Sequence, residues 1–116
     1  MINPKRGEIK INLADQTFTG KITLDVAQRI EMGLDMGVIE IAQHIQSGKL
    51  KISEATFIIH PVVKAGGNDI SEKEIGQLCW QTGLAKSLSI VAEIVALILD
   101  PNGDSEGNVE VAAQTS

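Results

Sequence analysis

Ile70-Ser71-Glu72-Lys73-Glu74-Ile75 decides more of the fold than any other six residues of the chain. The Ser71 hydroxyl can accept from the Glu74 amide while the Glu74 carboxylate answers at the Ser71 amide, and Ile70 and Ile75 sit at the two positions that staple the entry. A helix starts here. Its inward stripe is Ile75, Leu78, Cys79 and Thr82, and Gly83 then turns the chain before the next apolar run.

Residues 84–99 are that run. Leu84, Leu88, Val91, Val95 and Ile98 share one helical face, Ile90, Ile94 and Leu97 widen it, and Lys86, Ser89 and Glu93 leave a narrow polar stripe. Sixteen helical residues extend about 24 Å, short of a bilayer crossing. A helix this apolar has to be covered over much of its circumference. Either it is the central helix of the monomer, or part of its surface belongs to a subunit or partner interface.

Working back toward the N-terminus, Ser53 offers a cap oxygen before Ala55, Phe57, Ile58, Ile59 and Val62, with Ile52 placed as a staple. Pro61 lacks the donor that a helix interior requires, so this third helix is expected to kink or end near His60. Ala65 to Asp69 is a turn by composition. A helix over about Leu24–Leu34 follows from Val26, Ala27, Ile30 and Leu34, with Thr23 or Asp25 as its cap. A second, from Val38 to about Gln46, aligns Val38, Ile41, Ala42 and Ile45 and stops at Gly48.

At the start, Ile9, Ile11 and Leu13 alternate with polar residues over positions 8–13, the pattern of a half-buried strand. Thr17 through Thr23 reads as its hairpin partner across Ala14-Asp15-Gln16, and Gly20 marks a bulge or a close approach. The fold class is α+β: an N-terminal antiparallel β-hairpin followed by a compact bundle of about five short helices. Residues 1–99 form the single domain. Residues 100–116 are an acidic tail expected to be mobile, because Pro, Gly, Asp and Ser take over after Asp100.

Composition sets the function classes. The chain has 116 residues, room for one small domain. It carries 15 acids against 10 bases, a formal charge of −5, which makes nucleic acid a poor partner. Asp100, Asp104, Glu106 and Glu110 lie in the tail, which has no base, so the body is nearly neutral. The lone Cys79 forms no internal disulfide. No secretory leader or membrane-length apolar run is evident, so the expectation is a soluble, cytoplasmic protein without a membrane partner.

No set of residues reads as an active site. His44, His60 and Cys79 fall on different elements without ligand spacing, so neither metal nor cofactor is expected. Asp100, Asn102 and Asp104 begin like a calcium loop, but Ser105 and Ala112 stand where the turn glycine and the closing glutamate belong. Gly66-Gly67 lacks the Lys-Ser or Lys-Thr pair of a phosphate loop, and Glu72 and Glu74 are explained by capping. Trp80, the sole indole, either packs in the core, anchors a protein contact or walls a small-ligand site; its exposure separates these readings. The candidate protein-interaction residues are Trp80, Leu84, Leu88, Val91, Ile94, Val95 and Ile98.

Taken in order, Arg6-Gly7-Glu8 and the alternating strand, Phe18, Ile22-Thr23-Leu24, Leu50 through Ser53, the Gly66-Gly67-Asn68-Asp69-Ile70-Ser71 entry and the apolar 84–99 helix resemble the gene transfer agent tail-assembly family. These small phage-type proteins are sometimes described as tail-tube proteins and are grouped with phage tail assembly chaperones. The resemblance covers about residues 5–99. It implies a non-enzymatic protein of the bacterial host cytoplasm that engages the tape-measure protein, the tail-tube protein or both while a phage, prophage or gene-transfer-particle tail is built. The alternative is a structural tail component retained in the particle. The sequence permits a homo-oligomer and does not count its subunits.

Overall fold

In a computed structural model of the chain, residues 2–3 and 7–100 are described. The tail from position 101 onward, and with it all of the rejected calcium-loop pattern except Asp100, lies outside the described residues. Alternation in the sequence becomes an antiparallel pair, β2 (Glu8–Leu13) with β3 (Gln16–Lys21), in the register Ile9↔Gly20, Ile11↔Phe18 and Leu13↔Gln16. Ile9, Ile11, Leu13 and Phe18 are buried on one face, while Lys10, Asn12, Thr17 and Thr19 stay on the other. A short strand β1 (Ile2–Asn3) adds to the β2 edge, giving the order β1-β2-β3. Two residues are too few for any periodic signal, so β1 is not legible in the sequence.

The helices follow as α1 (Leu24–Leu34), α2 (Val38–Gln46), α3 (Ile52–Ala65), α4 (Glu72–Thr82) and α5 (Leu84–Leu99). Each terminus has a local chemical cause. The Thr23 hydroxyl accepts from the Val26 amide at 3.1 Å to open α1. At the end of α2, Gly48 takes φ +74 and donates to Ile45 O while Lys49 N donates to His44 O, the paired closure that glycine makes easy. Both halves of the α4 box are present: Glu74 N donates to Ser71 Oγ at 3.1 Å and Ser71 N donates to Glu74 Oε1 at 3.0 Å. The Ser71 amide first, and the Ser71 hydroxyl at 3.1 Å second, donate to the ionised carboxylate and hold the Glu74 pKa below its ordinary value.

Three expectations need correction. The third helix starts at Ile52 rather than after a Ser53 cap, with Lys51 N donating to Glu54 Oε1 at 2.9 Å. It also runs through Pro61 to Ala65, so of the two outcomes expected at Pro61, a kink or an end near His60, the helix does not take the end. An interior proline costs about 3 kcal/mol. Val62 and Val63 beyond it are fully buried, and burying a side chain of that size stabilises by about 1.5–3 kcal/mol each, so packing outweighs the lost hydrogen bond. The third correction concerns the centre of the molecule. It is α3, not α5, that packs against β3, α1, α4 and α5.

Gly20 explains how α3 reaches the sheet. A β-carbon built there would lie 2.7 Å from Val62 Cγ1 and 3.1 Å from Ile11 Cδ1, so the glycine marks a close approach, one of the two roles the sequence allowed. At the far end of α3, a β-carbon on Gly66 would fall on the Thr19 carbonyl oxygen. Asn68 Nδ2 donates to that same oxygen at 2.9 Å and to Val63 O at 3.0 Å. The α3–α4 turn thereby seats on the outer edge of β3. The hairpin tip is tied down too, because Ala14 N donates to Thr82 Oγ1 at 2.6 Å, beside the end of α4.

Candidate functional site

Where α3 begins, α4 ends and α5 begins, three large apolar side chains stay in solvent: Ile52 is 42 % exposed, Trp80 75 % and Leu84 46 %. They rim a cleft of about 230 Å³ that also contacts Ala55, Cys79, Gly83 and Ser87. Local geometry makes this cleft. Gly83, at φ +102, closes α4 through its amide to Cys79 O and at once starts α5, so the two helix ends diverge around it. Ser87 is the buried polar residue of the floor, and its Oγ donates to Cys79 O at 3.2 Å. Cys79 is buried, and desolvation raises its thiol pKa above the ordinary value, leaving a neutral, unreactive group.

Trp80 is therefore no core residue. An indole three-quarters exposed beside an apolar depression has the form of a protein-contact anchor, since aromatic residues next to well-packed pockets dominate association energetics. On its other side lies an open, more polar groove lined by Ser53, Thr56, Glu72, Lys73, Gln77 and Gln81. Trp80 stands on the ridge between the two.

Of the other interaction candidates, Val91, Ile94 and Val95 are buried in the protein's own core, and Leu88 and Ile98 are half-buried against it. The folded chain presents none of the first three to a partner. Along α5 the outward positions are Ala85, Lys86, Ser89, Ala92 and Ala96, with Leu84 and Leu99 exposed at the two ends. Of the candidates, Trp80 and Leu84 are thus the exposed ones, at the end of α4 and the start of α5 beside Ile52 of α3. Ile52 is absent from the interaction candidates because the sequence places it as the staple before a Ser53 cap; its signal is a lone isoleucine between Lys51 and Ser53-Glu54.

The groups weighed for chemistry do not come together. His60 Nε2 lies 2.8 Å from Ile70 O and joins Asp25, Arg29 and Lys64 around a separate depression beside Pro61, while Cys79 lies under the Trp80 cleft. His44 sits in the last turn of α2. Among the described residues, no three of His, Cys, Asp and Glu converge as metal ligands. None of the described helices is long and apolar enough to cross a membrane.

The outer edge of β3 is partly covered, since Asn68 and the Gly66 turn lie against it at Thr19, which leaves less of it open to strand pairing with another chain. Residues 6–100 match the model of a family described as phage tail tube protein, GTA-gp10. No curated protein and no solved structure matches the chain.

Proposed function

Since the chain belongs to the GTA-gp10 phage tail tube protein family, we propose that it acts without catalysis in tail building, by holding other tail proteins at the Ile52–Trp80–Leu84 cleft. In this reading it is a tail assembly chaperone in the cytoplasm of the bacterial host. It binds the tape-measure protein, the tail-tube protein or both, and covers their apolar segments until contacts in the tube replace it. The observation that carries the reading is the exposure of Trp80 beside an apolar cleft. An exposed indole is a costly surface in a lone protein and a productive one in a complex.

A second reading, favoured by the words of the family description, makes the protein a structural component that stays in the particle. Both use the same cleft, and composition separates them. Co-expression with tape-measure and tail-tube proteins should yield a complex that Trp80→Ala and Leu84→Asp abolish. Purified particles should then lack the protein if it is an assembly factor and hold it in stoichiometric amount if it is a tube component. Absence of any complex across a range of salt concentrations refutes both readings.

A further inference from the structure

We infer that Gly83 is a hinge through which two copies of this chain exchange α5, each placing the helix in the other's body while α4 and α5 straighten into one helix from Glu72 to Leu99. The corner between them is a single residue. Gly83 stands at φ +102 and ψ 146, a combination essentially confined to glycine, and the residues on both sides of it are helical.

The hydrogen bonds show how close this corner is to a straight helix. Gly83 N donates to Cys79 O and Ser87 N donates to Gly83 O, both at 3.0 Å and both in the spacing of a continuous α-helix. Only the bonds between them are missing, from the amides of Leu84, Ala85 and Lys86 to the carbonyls of Trp80, Gln81 and Thr82. As the residue before α5, glycine has no side chain with which to cap those amides. Rotation at Gly83 supplies the missing partners.

A straight form cannot stay within one body. At 3.6 residues per turn, the stripe Ile75, Leu78 and Cys79 and the stripe Val91, Ile94 and Val95 would lie roughly 160° apart around the axis. Both stripes are buried in the closed chain. One body covers one side of such a helix, so the other stripe needs a second body. A second copy offers the place its own α5 has left, between α2, α3 and α4, where the contacts of the closed form are made again between chains. These include the bond from Ser87 Oγ to Cys79 O, which spans the corner at 3.2 Å. Meanwhile α4 stays behind, because Thr82 Oγ1 accepts from Ala14 N of the hairpin and donates to Leu78 O. The helix that leaves is the last of the described elements, so its departure displaces no other.

Two variants of the full-length chain test the exchange. Gly83→Ala adds a carbon that meets nothing within 4 Å, so it acts on backbone conformation alone. It disfavours the corner by about tenfold in each chain and should lower the dimer Kd by about a hundredfold, read by size-exclusion chromatography with light scattering across concentration. Ser87→Cys keeps the corner and puts a thiol against Cys79, the chain's one cysteine, whose side chain already meets that of Ser87. Concentrated under reduction and then oxidised, this variant should yield a covalent dimer linking residue 79 of one chain to residue 87 of the other, in a proportion that rises with concentration. In the closed form the same bond lies within one chain. Intrachain disulfide alone at every concentration overturns the inference, and so does a Gly83→Ala protein that folds yet stays as monomeric as the parent. Because Ser87→Cys retains Gly83, crosslinking decides the question even where Gly83→Ala does not fold. No tail protein enters either measurement, so the outcome is independent of whether the proposed partners bind.

Discussion

Replacing Gly66 with alanine should be among the most damaging single-carbon additions to this protein, and the structure says why. The new β-carbon would coincide with the Thr19 carbonyl oxygen and crowd the Gly20 backbone. Inserting a methyl group where side chains can yield costs about 1–3 kcal/mol. Here the obstacle is backbone, so the α3–α4 turn has to withdraw from β3, and Asn68 loses its bond to Thr19 O, worth about 1 kcal/mol. The combined cost is roughly 2–4 kcal/mol, which at about 4–8 °C per kcal/mol for a domain of this size lowers Tm on the order of 15 °C.

Gly76→Ala is the internal control. Its added carbon meets Thr56 Cγ2 at 3.5 Å, an ordinary contact, within the body of α4. Removing a helical glycine should stabilise by about 0.5–1 kcal/mol and raise Tm by a few degrees. Thermal melts followed by far-ultraviolet circular dichroism read both, since Trp80 is too exposed to report faithfully on unfolding. If Gly66→Ala melts with the parent, the turn does not rest on the edge of β3, and the account of why that edge is closed fails with it. Exposing the edge should also make Gly66→Ala prone to aggregate, visible as light scattering that rises with concentration.

Four further outcomes follow from the same geometry. Trp80→Ala should change stability by less than about 1 kcal/mol while abolishing capture of tail partners, whereas Ile94→Ala, at a fully buried position, should cost about 2–5 kcal/mol in a urea titration; equal losses would place Trp80 in the core. Ser71→Ala should cost about 1 kcal/mol by removing the cap of α4. Because hydrogen bonds depress the Glu74 pKa in the folded state, the stability that Glu74 contributes is present above its unfolded pKa and lost as pH falls through the folded value; the gap between parent and Glu74→Ala should close in acid, and a gap unchanged by pH refutes the assignment. Cys79, buried and with a raised pKa, should react with a disulfide reagent at the rate of local opening, so rapid labelling of the native protein contradicts its position under the Trp80 cleft.

Local chemistry wrote part of this protein directly into its sequence. The Ser71–Glu74 box, the Thr23 cap and the glycine closing α2 each depend on groups within a few residues of one another, and the alternation over residues 8–13 needs only a two-residue period to announce which face is buried. Family membership was legible for a related reason: the order and spacing of these local signals along residues 6–100 are what a family pattern records. Tertiary structure decided the rest, because those outcomes are balances between distant groups. Pro61 reads as a helix stop until the burial of Val62 and Val63 outweighs it, and the apolar stretch of α5 reads as the centre until α3 is found wedged among the sheet and three helices. Val91, Ile94 and Val95 cannot be told from surface residues by periodicity alone, which fixes a common face and not what covers it. The cleft itself is assembled from residues 52, 80 and 84, whose meeting requires α3, α4 and α5 to converge.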